Sequence, residues 1–266
     1  MIQLLPSLVA LTALALSPIL QVAAHGYVQE VTVGSTKYTG YLPDDAYECP
    51  QPKRIMPPHF AMFIGLVEDL ASIDIQCHGR SGGGSAPASL VGTIASGDTV
   101  SFNWTQWPNG HTGPVLTYMA RVPDQEDVRD WAPEKEKVWF KIDHAGKYED
   151  GTWASDSLAL PKLKPWTVRI PPNLKAGQYL IRHEILALHV ATKYPGVQAY
   201  PSCIQVKVTG NGTALPEDKD LVSFPGAYTA ETPGIVYNLY IIGELPPYPI
   251  PGPEVYVAFS PIARAQ

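Results

Sequence analysis

Short segments in which apolar and polar residues alternate recur along this chain, and they constrain its fold more than any other feature. The clearest are 100–104, where Val100, Phe102 and Trp104 alternate with polar residues, and 204–209. A period of two is typical of β-strands that bury one face. Other β-rich segments are 31–33, 115–118, 138–142, 167–170 and 179–189. The pattern therefore predicts a chain built mainly of β-strands.

Turn-forming residues separate these segments. The chain has 27 prolines and 22 glycines among 266 residues, without the strict period of collagen. Clusters at 81–85, 108–110 and 171–173 are typical of turns and loops. Hydrophobic residues make up 45% of the chain, which is enough to bury a full core. We therefore predict an all-β sandwich with long loops and few short helices.

Charge and composition limit the partners and the domain count. The formal net charge of −6 and the pI near 5.6 argue against a nucleic-acid-binding protein. No repeat or low-complexity linker divides the chain, so we predict one domain over 25–266 and a monomer. The Pro-rich tail after Gly210 is predicted to wrap around the sandwich. Because that tail contains no cysteine, we expect no separate disulfide-stapled carbohydrate-binding module.

The first 24 residues carry no charged side chain, and their apolar run is interrupted by Pro6 and Pro18. Val22 and Ala24 match the small-residue pattern that precedes signal-peptidase cleavage. A membrane anchor is the alternative, but the run is short and no basic residue follows it as a stop signal. We therefore predict a signal peptide at 1–24, secretion to the extracellular space, no membrane anchor, and a mature chain that begins with His25.

A secreted chain can carry a disulfide and N-linked sugars. Of the three cysteines, Cys77 and Cys203 are the candidate pair, and Cys49 would remain free, although the residues alone leave the other two pairings open. A bridge closing so long a loop would stabilise the fold by roughly 2–4 kcal/mol. Glycosylation sequons begin at Asn103 and Asn211, and Asn211, in a predicted turn, is the better candidate.

One of the seven histidines gains special chemistry from the predicted cleavage. An N-terminal His25 offers two nitrogen donors, its ring and its α-amine, and the α-amine has a pKa near 8 that allows deprotonation near neutral pH. His111, which follows the turn at 108–110, is the natural partner. Three nitrogens in a flat arrangement favour Cu(II). We therefore predict one copper ion held by His25 and His111.

A second group of polar residues strengthens this hypothesis. His189, Gln198 and Tyr200 fall within a short stretch where one predicted strand ends and the next begins. A tyrosine oxygen can occupy a distant axial position on copper, and a histidine and a glutamine beside it can hydrogen-bond a bound oxygen species. The alternative is an ordinary buried tyrosine beside a polar loop.

Seven segments, taken in chain order, resemble those of a known family. They are HGYV at 25–28, SIDIQC at 72–77, HTGPVLTY at 111–118, VWFKI at 138–142, GTWA at 151–154, YLIRHEILALH at 179–189 and QAYPSC at 198–203. Together they resemble the fungal lytic polysaccharide monooxygenases of auxiliary activity family nine, formerly glycoside hydrolase family 61. The resemblance extends over nearly the whole mature chain.

The resemblance implies an immunoglobulin-like or fibronectin-like sandwich and a copper enzyme. The implied activity is oxidative cleavage of β-1,4-glucan, most of all cellulose, by hydroxylation at C1 and/or C4. The co-substrate would be O2 or H2O2, and a small reductant or a redox enzyme would donate electrons. The implied residues are His25 and His111 as copper ligands, Tyr200 as axial ligand, His189 and Gln198 beside the metal, and a Cys77–Cys203 disulfide.

A flat crystalline substrate would be met by aromatic side chains in loops. Tyr41, Tyr47, Tyr237 and Tyr248 are the candidates, and we select Tyr248 as the substrate-binding residue. A hydrolase would instead need two carboxylates placed across a cleft, and no such pair stands out.

Two other functions stay open at this point. One is a secreted copper-binding protein that uses His25 and His111 without oxidising sugar. The other is a noncatalytic carbohydrate-binding sandwich. The joint presence of His189, Gln198 and Tyr200 favours the enzyme over both.

Overall fold

The computed structural model of the protein describes residues 25–40, 66–79 and 82–258. The predicted signal peptide, Tyr41, Tyr47 and Cys49 lie outside these ranges. The described strands are β1 (Val28–Val33), β2 (Thr36–Thr39), β3 (Gly92–Ala95), β4 (Thr99–Trp104), β5 (Val115–Arg121), β6 (Trp139–Ala145), β7 (Trp166–Arg169), β8 (Gly177–Ala187), β9 (Gln198–Thr209) and β10 (Leu221–Val222). The described helices are α1 (Asp74–Cys77) and two 3-10 turns, Ala154–Ser157 and Asp218–Asp220.

These strands form two sheets. One has four strands in the order β2-β1-β4-β7, and the other has six in the order β10-β6-β5-β8-β9-β3. All pairings are antiparallel except β3 with β9, which is parallel. The prediction of a β-sandwich with few short helices is confirmed. In the described part of the chain, no helix is long and apolar enough to cross a membrane.

The alternation that predicts β4 follows from its position at the sandwich interface. Val100, Phe102 and Trp104 are buried, whereas Ser101 and Asn103 are half-buried on the outer face. The buried side chains of β4 and β1 join those of the six-stranded sheet in one hydrophobic cluster. One covered face and one open face therefore give the period of two in the sequence.

The sequences of β5 and β8 do not alternate as that of β4 does, because both faces of these strands are covered. Residues 179–187 of β8 are all buried. Their second face packs against α1 and the tail after β10, where Ile75, Phe224 and Tyr228 belong to a second hydrophobic cluster. A disulfide joins Cys77 of α1 to Cys203 of β9, the pairing that the resemblance implies.

The tail after β10 crosses the six-stranded sheet without regular secondary structure. The backbone N–H of Tyr256 donates to the carbonyl oxygen of Lys141 at 2.7 Å, and Lys141 Nζ donates to the carbonyl oxygen of Pro251 at 2.8 Å. These hydrogen bonds tie the tail to β6 of the six-stranded sheet. The domain boundaries themselves stay predictions.

Candidate active site

Adjacent strands bring three of the predicted site residues to one end of the sandwich. Strand β8 ends at Ala187, which pairs with Gln198, the first residue of β9, and Ile185 pairs with Tyr200. His189 follows β8 by two residues. The antiparallel pairing of β8 and β9 therefore places His189, Gln198 and Tyr200 at the same edge.

The loop before β5 carries His111 to that edge. The backbone N–H of His111 donates to the carbonyl oxygen of Pro108 at 3.2 Å, and this hydrogen bond closes the turn. Leu188 N–H then donates to the carbonyl oxygen of Thr112 at 2.8 Å. Gly113 allows this close approach, because a Cβ there would lie 1.8 Å from the carbonyl oxygen of Leu186. As a result, the ring centroids of His111 and His189 are only 4.1 Å apart.

The first described residue, His25, completes the group. Tyr27 anchors this segment, since its N–H donates to Thr105 Oγ1 at 3.1 Å and its carbonyl oxygen accepts from Thr105 N–H at 2.9 Å. The ring of His25 lies 5.7 Å from that of His111, centroid to centroid, at an interplanar angle of 81°. It lies 5.8 Å from the ring of Tyr200. The structure therefore places the two predicted ligands and the predicted axial tyrosine side by side.

Trp107 underlies this group and received no role in the sequence analysis. Its indole Nε1–H donates to the carbonyl oxygen of His111 at 2.8 Å, and its ring meets that of Tyr200 edge-on at 4.9 Å. A Cβ at Gly26 would lie 2.8 Å from the Trp107 ring. The buried side chain of Trp107 therefore contacts three residues of the site: Gly26, His111 and Tyr200. The Trp before the Pro-Asn-Gly turn is the only sequence signal of this contact.

Burial keeps the three imidazoles of the site neutral. It lowers the pKa of His111 to about 4, with smaller contributions from the charges of His189 and His25. Burial also lowers the pKa of His25 and of His189. Because a metal requires an unprotonated ring nitrogen, these imidazoles are ready donors at neutral pH.

Tyr200 and Gln198 form a hydrogen-bonded pair beside the histidines. The Tyr200 hydroxyl donates to Gln198 Oε1 at 3.1 Å. Burial, followed by the negative charge of Glu68, raises the pKa of Tyr200 above its ordinary value. The phenol therefore stays protonated, and a neutral phenol oxygen can be only a weak metal ligand.

The donor set fits a copper ion that uses an N-terminal amine. Among the described residues, no three His, Cys, Asp or Glu side chains gather to hold a metal. The rings of His25 and His111 offer two nitrogens. A free α-amine at His25 would offer a third, and three nitrogens suit Cu(II).

One buried nitrogen beside these donors also indicates a missing partner. His189 Nδ1 is buried, and no hydrogen-bond partner for it exists in the described part of the chain. An unpaired buried polar atom costs roughly 1–3 kcal/mol, so such atoms are uncommon away from binding sites. The site therefore has the chemistry of one that takes up a polar ligand.

Tyr248, the predicted substrate-binding residue, packs against other aromatic rings of the chain, and its contact with substrate stays a prediction. Its ring lies between those of Trp153, at 4.9 Å, and Tyr237, at 5.0 Å, and its hydroxyl donates to the carbonyl oxygen of Gly234 at 2.9 Å. Tyr248 therefore holds the tail in place. The exposed aromatic residue beside the site is instead Tyr240, whose hydroxyl donates to the carbonyl oxygen of His189 at 2.9 Å.

The remaining predicted residues lie away from this edge. Asn211 is exposed in the bend that follows β9, at the opposite end of that strand from Gln198. Asn103 lies within β4. The Cys77–Cys203 disulfide fastens α1 to the outer face of the six-stranded sheet.

The sequence and the fold both match a known family. The sequence profile of Auxiliary Activity family 9, formerly GH61, matches residues 25–248. The AA9 family lytic polysaccharide monooxygenase A of Gloeophyllum trabeum is 51% identical over 248 residues, which cover 91% of this chain and 75% of that protein.

Solved structures agree. The extended catalytic domain of H. jecorina LPMO9A has a TM-score of 0.77 at 33% identity, with 91% of this chain and 94% of that one covered. A cellulose-active polysaccharide monooxygenase from M. thermophila has a TM-score of 0.76 at 31% identity, with 88% and 100% covered. This chain therefore belongs to Auxiliary Activity family 9, the lytic polysaccharide monooxygenases, a family of copper-dependent oxidoreductases.

Proposed function

We propose that this protein is secreted, loses residues 1–24, binds one copper ion and cleaves β-1,4-glucan chains oxidatively. Cellulose is the proposed substrate, because the similar M. thermophila enzyme is described as cellulose-active. The observation that carries the proposal is the pairing of the His25 and His111 rings, 5.7 Å apart and nearly perpendicular. The match to the family profile also begins at His25, which supports the proposed mature N-terminus.

In the proposed mechanism the chain holds the metal through its two histidines. The His25 amine and ring and the His111 ring would provide three nitrogens, and Trp107 fixes His111 through the hydrogen bond to its carbonyl oxygen. Bound copper would supply one-electron redox chemistry towards O2 or H2O2, with electrons from a small reductant or a redox enzyme.

Two polar side chains beside the ligands would manage protons. The neutral ring of His189, 4.1 Å from that of His111, can take up or release a proton at the open edge of the site. Gln198 is oriented by the Tyr200 hydroxyl and can hydrogen-bond the reacting oxygen. The glucan would lie across this edge, and C1 or C4 of a sugar ring would be the carbon that is hydroxylated.

The test is oxidation of cellulose by the mature protein with copper and a reductant, analysed by mass spectrometry of the released oligosaccharides. Oxidised products that require both copper and reductant support the proposal, and fragmentation of the product ions distinguishes C1 from C4 attack. His111→Ala is the matched negative control. Tight copper binding without oxidised sugar would indicate a copper-binding protein. Adsorption to cellulose with no effect of metal would indicate a binding module.

A further inference from the structure

A short bridge between two segments of the chain places an acidic side chain beside the candidate site. Val67 N–H donates to the carbonyl oxygen of Ala199 at 2.8 Å, and Ala199 N–H donates to that of Val67 at 3.0 Å. The two segments run antiparallel at this bridge. The next pair in this register is therefore Glu68 with Gln198. Neighbouring pairs of this kind exchange no backbone hydrogen bonds, and their Cα atoms lie about 4.5 Å apart.

The alternation of side chains along this segment shows which way Glu68 points. Val67 belongs to the hydrophobic cluster on the outer face of the six-stranded sheet. Leu66 packs instead against the cluster between the two sheets, which includes Tyr200. Successive side chains of an extended segment point to opposite faces, so Glu68 is directed to the same side as Tyr200 and Gln198. Glu68 is exposed, and it therefore lies at the rim of the edge that carries the predicted copper ligands.

The negative charge of Glu68 acts on a site whose own donors are neutral. Its effect reaches Tyr200, since this charge is the second cause, after burial, of the raised pKa of that phenol. The predicted donors bring no negative charge, because imidazoles and an amine bind a metal in their neutral forms and the phenol stays protonated. A Cu(II) ion carries one more positive charge than Cu(I). A nearby carboxylate therefore stabilises Cu(II) more than Cu(I).

We propose that Glu68 supplies the negative charge that favours the oxidised over the reduced state of the copper at this site. Glu68 is a positioning residue in this account, because it acts through its electric field and through the neighbouring ligand shell rather than by binding the metal. Water and salt screen an exposed charge, so the effect is modest and depends on ionic strength. The inference rests on the proposed function, because it assumes one copper ion held by His25 and His111.

The experiment measures the copper reduction potential of the mature chain and of three variants. Glu68→Gln removes the charge and keeps the size of the side chain, whereas Glu68→Asp keeps the charge. The matched control is Glu126→Gln, because Glu126 is exposed and follows β5 at the end opposite to His111. The length of β5 separates these ends by about 20 Å, which exceeds the Debye length of about 10 Å. Copper titration and thermal unfolding show whether each variant is loaded and folded.

In Glu68→Gln we expect the preference for Cu(II) over Cu(I) to fall about threefold, because an exposed charge acts partly through water. For a one-electron couple this change raises the reduction potential by about 30 mV. The difference from the unmodified chain should shrink at high salt, since mobile ions screen the carboxylate. Glu68→Asp and Glu126→Gln should keep the potential of the unmodified chain.

An unchanged potential in Glu68→Gln overturns the inference. An equal rise in Glu68→Asp also overturns it, because the shape of the side chain and not its charge would then set the potential. So does an equal rise in Glu126→Gln, which would make the effect one of net charge. Failure of the proposed function looks different. In that case the unmodified chain binds no copper, and the metal site is lost together with this inference. A chain that binds copper and oxidises cellulose, but shows no shift in Glu68→Gln, loses this inference alone.

Discussion

The buried histidine His183 and the three histidines at the end of the sandwich have opposite surroundings. His183 of β8 lies in the sandwich core, stacked on Phe102 at 4.1 Å, with both ring nitrogens in hydrogen bonds. Trp104 Nε1–H donates to its Nε2 at 3.1 Å, and its Nδ1 lies 2.9 Å from Thr117 Oγ1. The neutral ring must therefore carry its proton on Nδ1, and this N–H donates a hydrogen bond to Thr117 Oγ1.

The histidines at the end of the sandwich differ from His183 in the hydrogen bonding of their ring nitrogens. The rings of His25, His111 and His189 are partly exposed, and His189 Nδ1 is buried without a partner in the described residues. A histidine whose hydrogen bonds are complete stabilises the fold. A cluster whose nitrogens are left open can hold a ligand. The comparison therefore indicates a structural role for His183 and supports the proposed metal site at the other group.

The largest expected effect comes from removing a ligand at the open group. His111→Ala should lower copper affinity by more than about 1,000-fold, because one of three nitrogen donors is lost. Isothermal titration of the mature chain measures it. His183→Gln is the control, and it should bind copper like the unmodified chain. Similar affinity losses in both variants would contradict the assignment.

The core histidine should appear instead in the pH dependence of stability. Burial, followed by the positive charge of Arg182, lowers the pKa of His183 to about 3, whereas an unfolded histidine titrates near 6.5. Between these values the unfolded chain binds a proton there and the folded chain does not. Stability is therefore lost as the pH falls through this window.

From pH 7 to pH 5, His183 should remove about 2 kcal/mol from the free energy of unfolding of the copper-free protein. Urea unfolding of the unmodified chain and of His183→Gln measures the difference, because glutamine does not titrate. Parallel pH profiles for the two proteins would mean that His183 does not stay neutral in the fold.

A smaller effect is expected from Gln198, which is next to the ligands. Gln198→Ala should slow cellulose oxidation roughly tenfold while copper affinity stays the same. Rates from chromatography of oxidised products, together with copper titration, test both parts. Release of copper by this variant would show that Gln198 supports the metal and not the reaction.

The smallest effect is expected below the ligands, at Trp107. Trp107→Phe keeps a ring but removes the N–H that holds the His111 carbonyl oxygen, and copper affinity should fall about fivefold. Trp166→Phe is the control, since its Nε1–H donates to Asp143 in another part of the sandwich. A changed copper EPR spectrum in Trp107→Phe alone would sharpen the assignment. Equal spectra and affinities for both variants would remove Trp107 from the site.

Much of this organisation can be predicted from the sequence, because it depends on local pattern. The alternation in β4 marks a strand with one open face, and the order of β8 and β9 brings His189 and Gln198 together. The chemistry of a terminal histidine predicts a metal ligand at His25, and the resemblance to the family implies His111 as its partner.

Other features depend on contacts between distant segments, which no local pattern encodes. Tyr240 and Tyr248 lie in the same irregular tail, yet one is exposed beside His189 and the other is packed against Trp153. His183 has two hydrogen-bond partners, Trp104 and Thr117, and they lie on two other strands. Only the folded structure shows which of these residues is exposed and which is packed in the core.

Copper titration of two forms of the chain tests the central claim most directly. One form begins at His25 and the other retains residues 21–24, so that the amine of His25 is part of a peptide bond and the new terminal amine lies four residues away. We predict that the first binds one copper ion per chain with roughly nanomolar affinity and that the second binds at least about 1,000-fold more weakly. Equal affinity in the two forms would contradict the claim that the terminal amine of His25 is a ligand.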